Sequence, residues 1–294
     1  MRNKKKTVQY MFNEIIFLGP MFAAFLMVKF IPLIMSAVYS FSDWNGISSG
    51  MSFNGLVNYR KLLADSQYWY SMGFTMKFAI VSVILANLLG FVLANILTMQ
   101  VPGRNILRAV FYIPNTLGGL VLGFIWRFIF LYAFGYLAEA VGLSFMKIAW
   151  FNTSISSFWA MVIVQVWVLS GYLMLLYIAG IVQIPGDMVE AARIDGAGLA
   201  AVMTKVKIPF LMTTFTRCIF LSFLTCMRVY DINLALTAGN PFRSSESVTM
   251  NIYGTAFTGS EMAYGCSKAL IFIVIVVVLS SLQVYLTSKS EVEA

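Results

Sequence analysis

The sequence predicts an all-α membrane protein with six transmembrane helices, and three observations carry that prediction. Of 294 residues, 60% are hydrophobic and only 11% are charged, against roughly 45 to 50% apolar and about 25% charged in soluble domains. Apolar runs of about 20 residues, the length that crosses a bilayer core as a helix, recur along the chain. The polar stretches between them are too short to fold as separate soluble domains.

The runs define the elements in order. The first, about residues 15–40, is apolar apart from Lys29, Ser36 and a few small residues. It exceeds the roughly 7 to 15 residues of a signal-peptide core and has no A-x-A cleavage pattern, so it reads as a membrane helix, with Pro20 and Pro32 as candidate kinks. Residues 41–70 carry Asp43, Asn45, Asn54, Asn58, Arg60, Lys61 and Asp65 with several glycines. They read as an extramembrane loop or a short interfacial helix. Further spans are expected at about 71–99, 109–135, 157–184, 210–238 and 266–288, so that residues 1–294 form a single transmembrane domain.

Lysine and arginine in the short loops set the orientation. With the N-terminus cytosolic, the inside loops hold Arg2, Lys4, Lys5, Lys6, Arg104, Arg108, Arg193, Lys205, Lys207 and Lys289. The outside loops hold Arg60, Lys61, Lys147 and Arg243, with Lys268 at an edge. Both termini are therefore expected in the cytosol.

Composition also excludes function classes. There is no histidine, which removes the commonest metal ligand and the usual acid–base group, and with them zinc peptidases and serine–histidine hydrolases. The three cysteines, Cys218, Cys226 and Cys266, have no paired spacing and read as reduced, buried small hydrophobes. The net charge of +8 is concentrated at loops flanking apolar runs, without the interleaved aromatics of a single-strand binder, so nucleic acid is not an expected partner. The 18 methionines suit adaptable packing between helices. No G-x-x-x-x-G-K-[ST] phosphate loop is present, so any ATP must be bound by another polypeptide. No catalytic residue, metal or cofactor is expected on this chain.

The longest inside loop, about 185–209, begins Pro185-Gly186-Asp187-Met188-Val189-Glu190-Ala191-Ala192-Arg193-Ile194-Asp195-Gly196-Ala197-Gly198. Pro185 and Gly186 break the preceding span. Asp187 is a candidate N-cap with Glu190 as its capping-box partner, so a short helix is expected from about Met188. Small residues suit close approach by another surface, and Glu190, Arg193 and Asp195 offer charges to it. On chemistry alone this could equally be a plain connecting helix. The ordered pattern Glu190-Ala191-Ala192, three residues, Gly196, nine residues, then Val206-x-Ile208-Pro209 resembles the EAA loop of the membrane subunits of bacterial binding-protein-dependent ABC importers. Val206 and Ile208 stand where the family has Ile and Leu.

Other stretches resemble the maltose and multiple-sugar permease branch of that family: Phe53-Asn54-Gly55-Leu56-Val57-Asn58-Tyr59, Arg108-Ala109-Val110-Phe111-Tyr112-Ile113-Pro114, and Tyr230-Asp231 followed by Leu236-Thr237-Ala238-Gly239-Asn240-Pro241. Asn240 replaces a family glycine. The resemblance spans nearly the whole chain. It implies a type I ABC importer permease fold in the bacterial plasma membrane, paired with a second six-helix permease subunit, a different chain. It further implies a cytosolic ABC ATPase dimer carrying ATP and Mg, an external substrate-binding protein and a sugar substrate. Glu190, Ala191, Ala192, Asp195, Gly196 and Pro209 would couple to the ATPase.

Polar residues at membrane depth are the candidates for substrate contact. Gln165, Val168 and Tyr172, spaced i, i+3, i+7, share one face of the fourth span, and an amide, a phenol and an apolar patch suit a sugar. In the third span Asn115 and Gly119 follow Pro114. In the fifth, Cys226 and Val229 form a comparable face with Thr225. By resemblance the sugar pocket is drawn from these three helices, giving Asn115, Gly119, Gln165, Val168, Tyr172, Cys226 and Val229. Arg228 and Asp231, three apart, read as an ion pair at a helix kink or near the outer mouth, with direct substrate contact as the other reading. The competing hypothesis is an ion-coupled secondary transporter using Lys77, Arg127 or Asp231. It would require inverted repeats with broken helices in both halves, and the sequence has no such internal symmetry.

Overall fold

A computed structural model describes residues 16–99, 101–142 and 148–289. The basic residues Arg2, Lys4, Lys5, Lys6 and Lys147, counted above for orientation, lie outside them, as does Ile15. Five helices are long and apolar enough to cross a membrane: α1 (Ile16–Tyr39), α3 (Ser66–Thr98), α5 (Gly119–Ala140), α6 (Ser154–Val182) and α12 (Met262–Ser288). A bent pair, α8 (Ala200–Phe210) and α9 (Met212–Met227), angled at 68°, supplies a sixth candidate. Between them lie α2 (Val57–Leu63), α4 (Arg104–Thr116), α7 (Gly186–Ile194), α10 (Asp231–Leu236) and α11 (Val248–Tyr253). Among the described residues the only β pairing is an isolated bridge, Ser42 to Phe53.

The chain divides into two compact units, residues 1–65 with 252–271, and residues 66–251 with 272–294. In the first unit, α1 runs through Pro20 and Pro32 without a break. A π turn, Leu26–Phe30, precedes Pro32, and the Ile31 N–H bonds to the Leu26 carbonyl, so the helix absorbs the proline by widening one turn. The loop after α1 is pinned by Asn58, whose Nδ2 donates to the carbonyls of Ser40 (2.9 Å) and Ser42 (2.8 Å). Asp43 accepts bonds from the Ser52 hydroxyl and N–H, which hold its carboxyl below the usual carboxylate range. Lys268, on α12 and only 3% exposed, pairs with Asp65 at 2.8 Å, and the Tyr264 hydroxyl donates to the same carboxylate.

The second unit is organised around α6. This helix is apolar on every side, as expected of one surrounded by protein and lipid, and 61% of its most apolar stretch is buried. It packs along α3 most extensively, and also against α4, α9 and α10. Two glycines permit the close approaches. At Gly171 a Cβ would collide with the Phe111 carbonyl of α4, and at Gly180 it would lie 2.5 Å from Thr214 Oγ1. Asn87 on α3 ties three helices together: its Nδ2 donates to Ser222 Oγ of α9 (3.0 Å) and to the Val83 carbonyl, and its Oδ1 accepts the Tyr177 hydroxyl of α6 (2.8 Å).

Two expected spans are interrupted. The third, expected over 109–135, is divided: α4 ends at Thr116, Leu117 and Gly118 adopt extended backbone, and α5 begins at Gly119. Pro114 has no N–H, and two extended residues cannot continue a helix. The fifth, expected over 210–238, bends sharply at Leu211, ends at Met227 and resumes as α10 at Asp231. The α5 and α10 starts are adjacent. A Cβ on Gly119 would sit 3.0 Å from Asp231 Cβ, and one on Gly123 would sit 2.5 Å from Ala235 Cβ.

The α4–α6 contact makes a direct prediction. Gly171→Ala forces a methyl group against backbone and should destabilise the detergent-solubilised chain by about 1 to 3 kcal/mol, an overpacking penalty, lowering its melting temperature. Gly135→Ala, with open space around it, should not. A Gly171→Ala melting curve superimposable on wild type would refute the contact.

Candidate functional site

Two regions carry the predicted site residues, both in the second unit. The first is the segment after α6. Helix α7 starts two residues earlier than expected, at Gly186, with Pro185 as the residue preceding it and no side-chain cap bond. Asp187 is therefore in the first turn and not the N-cap, and Glu190 has no capping-box partner to complete. Asp187 instead places negative charge at the positive end of the helix, and Arg193 places positive charge in its last turn.

The end of α7 explains its glycine. The Ala197 N–H bonds to the Ala192 carbonyl (2.9 Å) and the Gly196 N–H to the Arg193 carbonyl (3.0 Å). These two bonds form a Schellman motif, which needs a left-handed residue at its corner. Gly196 supplies it, with φ +82°. A Cβ there would meet nothing within 4 Å, so within this chain Gly196 is fixed by backbone conformation and not by crowding.

None of the residues of α7 is buried. Glu190, Ala191, Asp195 and Gly196 are exposed, Ala192 and Pro209 half-buried, and Ile194 is 80% exposed. Beneath the helix is an open cavity of about 630 Å³ lined by Ile181, Ile184, Val189, Glu190, Arg193 and Lys207 among others. Ile181, Ile184 and Val189 give it an apolar part, and Glu190, Arg193 and Lys207 a charged one.

The second region is the set of seven membrane-depth residues. Asn115, Gly119, Val168 and Tyr172 are half-buried, whereas Gln165, Cys226 and Val229 are 3%, 0% and 5% exposed. The Gly171–Phe111 contact sets α4 across α6 beside Tyr172, and Asn115 lies one helical turn beyond Phe111. Gly119 meets Asp231, two residues after Val229. Cys226 is a fully buried residue in the last turn of α9. In this conformation Gln165, Cys226 and Val229 thus offer no open surface to a ligand. Arg228 and Asp231 form no ion pair among the described residues: the Arg228 Nε donates to the Leu224 carbonyl at 3.2 Å. Arg127 donates to the Ala235 carbonyl at 3.4 Å, joining α5 to α10.

Sequence reading missed the device that shapes the segment between α10 and α11. Buried Asn233 donates from Nδ2 to the Ser245 carbonyl (2.8 Å) and accepts the Ser247 N–H (2.9 Å). Buried Glu246 accepts from Gln67 (2.8 Å), Ser71 (3.2 Å) and both Nε and Nη2 of Arg243. Left-handed backbone falls on Ala238, Gly239, Phe242 and Arg243, not on Asn240, so the substitution of Asn240 for a family glycine requires no strained residue. Phe242 stands 98% exposed at the tip. The polar run Arg243-Ser244-Ser245-Glu246-Ser247 carries no sign of burial, and the partners of Glu246 are up to 179 residues away in sequence.

Glu246→Ala removes the carboxylate that Ser71, Arg243 and, at its shorter bond, Gln67 donate to, and should destabilise the segment by about 1 to 3 kcal/mol. Trypsin should then cleave after Arg243 faster than in wild type, with cleavage elsewhere unchanged; equal rates would remove Glu246 as its anchor.

Comparison with known proteins places this geometry. Residues 86–292 match the family described as the inner membrane component of binding-protein-dependent transport systems. The chain is similar to a probable permease for starch degradation products of Thermoanaerobacterium thermosulfurigenes, 41% identical over 95% of this chain and 94% of that one. A multiple sugar-binding transport permease of Streptococcus mutans is 29% identical over 90% of this chain and 91% of its own. A trehalose/maltose permease of Thermococcus litoralis is 33% identical over 80% of this chain and 79% of its own. Among solved structures, a chain of a bacterial ABC transporter for the acidic polysaccharide alginate superimposes with TM-score 0.83 at 15% identity, covering 98% of this chain and 99% of that one. At that identity the likeness is one of fold.

Proposed function

The chain belongs to the family of inner membrane components of binding-protein-dependent transport systems, and we propose that it is the permease subunit of an ATP-driven carbohydrate importer. The observation that carries this reading is α7: a largely exposed helix with no buried residue, bearing Glu190-Ala191-Ala192 and closed by a left-handed Gly196, above an open groove. A nine-residue helix with no buried face is marginal alone, because helix nucleation is unfavourable and short helices need tertiary contacts. A helix kept in that state is built for a partner's surface.

On this reading α7 lies in the cytosol and seats in a groove of a separate ABC ATPase, which binds ATP and Mg. Both termini are cytosolic. Closure of the ATPase dimer moves α7, and the Schellman corner passes the motion through α8 and the 68° bend to α9. Helix packing is bistable and not continuously deformable, so the displacement rocks whole helices between inward- and outward-facing states. A second, different permease subunit completes the pathway, and an external binding protein delivers substrate. The sugar assignment rests on the relatives named for starch degradation products, multiple sugars and trehalose/maltose. It also rests on the amide and phenol of Gln165 and Tyr172 on one α6 face, with Asn115, Gly119, Val168, Cys226 and Val229 as the other contacts. Because Gln165, Cys226 and Val229 are closed off here, substrate reaches them after α4, α6 and α9 separate.

Isolating the tagged chain from its native membranes in mild detergent and identifying its companions by mass spectrometry tests the assembly. An ATPase and a second permease should copurify; recovery of the chain alone, even after crosslinking at Glu190, would overturn the reading. Gly196 tests the coupling. Gly196→Asn, which tolerates left-handed backbone, should retain most sugar uptake, whereas Gly196→Val should lose about ten-fold or more, from the strain of a left-handed branched residue. Gly196→Trp should abolish transport-coupled ATP hydrolysis while the chain still inserts, and normal uptake in that variant would defeat the coupling assignment.

A further inference from the structure

A second cavity, of about 280 Å³, opens between α6 and α9 on the α7 side of the spans, and none of the residues discussed for coupling or sugar contact lines it. Its wall combines Leu176, Ala179, Phe220 and Leu221 with Gln183, Thr214 and Arg217. Arg217 sits within the membrane-spanning helix α9, about 7 to 8 Å along its axis from the bend at 1.5 Å per residue. Its side chain is exposed, and among the described residues it makes no hydrogen bond or ion pair. A guanidinium at that depth is expensive unless an anion meets it. No carboxylate lines the cavity.

We propose that this cavity is a binding site for the headgroup of an anionic phospholipid. The phosphodiester takes the planar fork of Arg217 in the two-point geometry that guanidinium offers phosphate oxygens. Gln183 supplies an amide donor and Thr214 a hydroxyl at the same rim. The apolar wall formed by Leu176, Phe220 and Leu221 runs along the helices and accepts the start of an acyl chain. Gly180, where α6 lies close to Thr214 and Leu211, also lines the cavity. The arrangement follows the general rule that basic pockets between transmembrane helices near one face of the bilayer hold lipid headgroups. It requires that the chain spans a membrane, and does not depend on the sugar assignment.

The test uses the assembled complex, purified in mild detergent after incorporation into vesicles of phosphatidylcholine and phosphatidylglycerol, with retained lipid read by native mass spectrometry. Wild type should retain phosphatidylglycerol in preference to phosphatidylcholine. Arg217→Gln should retain about five-fold less, the factor expected for one basic residue at an anionic surface. Arg217→Lys should retain an intermediate amount. Ala179→Trp, which fills the cavity without changing charge, should also lose the lipid. Unchanged retention in Arg217→Gln overturns the proposal. So does displacement of the lipid by millimolar inorganic phosphate, which would mark a free-anion site. Loss of a companion subunit from Arg217→Gln with lipid retention unchanged would also overturn it, assigning Arg217 to a carboxylate of that subunit. Because the readout is bound lipid, failure of the sugar assignment leaves it unaffected.

Discussion

The second unit depends on how closely other backbones can approach α6. In a bilayer there is little hydrophobic drive to bring one apolar helix against another, so association comes from van der Waals packing and a few interhelical hydrogen bonds. Both are concentrated on α6. Gly171 lets the α4 backbone lie against it, Gly180 admits α9, and Gly90 of α3 fits over Ser170, Leu173 and Met174. Asn87, Tyr177 and Ser222 then fix the register of α3, α6 and α9 by directed bonds that cannot slide. The glycines set how near the helices come, and the polar triad sets where along their length they meet.

That arrangement places the two interrupted spans beside each other. The extended residues Leu117 and Gly118 and the break between Met227 and Asp231 would each expose unpaired backbone groups in lipid, which is tolerated only where protein covers them. Within this chain the residues flanking the two breaks, Gly119 and Asp231, meet, whereas Leu117 and Gly118 themselves stay exposed. Asp231 sits against Gly119 at the start of α5, where the positive end of a helix favours a carboxylate. Arg127 then takes the Ala235 carbonyl one turn into α10. Acid and base here serve helix termini and not each other, which is why the expected Arg228–Asp231 pair does not form.

What the sequence made legible follows from the range of each signal. Apolar length is local, so the membrane spans at 15–40, 71–99, 157–184 and 266–288 correspond to α1, α3, α6 and α12 with ends shifted by a few residues. The break after Met227 was legible only as a kink at Arg228 and Asp231, and the one at Leu117 was passed over because the apolar run continues beyond the stretch of polar residues and glycines from Pro114 to Gly119. The motif around Gly196 was legible as a pattern but not as a cause. Its cause is a left-handed corner closed by two backbone bonds. The Glu246 and Asn233 networks were illegible, because their meaning lies in partners brought near only by the fold.

The distribution of buried bonds also separates the parts that hold still from the part that can move. Between α10 and α11 the chain is cross-braced: Asn233, Thr237 and Ser245 are buried and mutually bonded, and buried Glu246 is tied to Gln67, Ser71 and Arg243. Strained backbone at Ala238, Phe242 and Arg243 is therefore held by its surroundings. From α7 to α8 the balance is reversed. There the helices are short, π-turned at Met203–Lys207, without a buried residue in α7, and joined to α9 only through the Leu211 bend. Low local burial means low local stability, so this segment is the least constrained of the second unit by the chain's own packing. The second unit thus joins a braced segment with an exposed tip at Phe242 to a compliant, exposed helix at α7, with the glycine-packed helices between them in sequence.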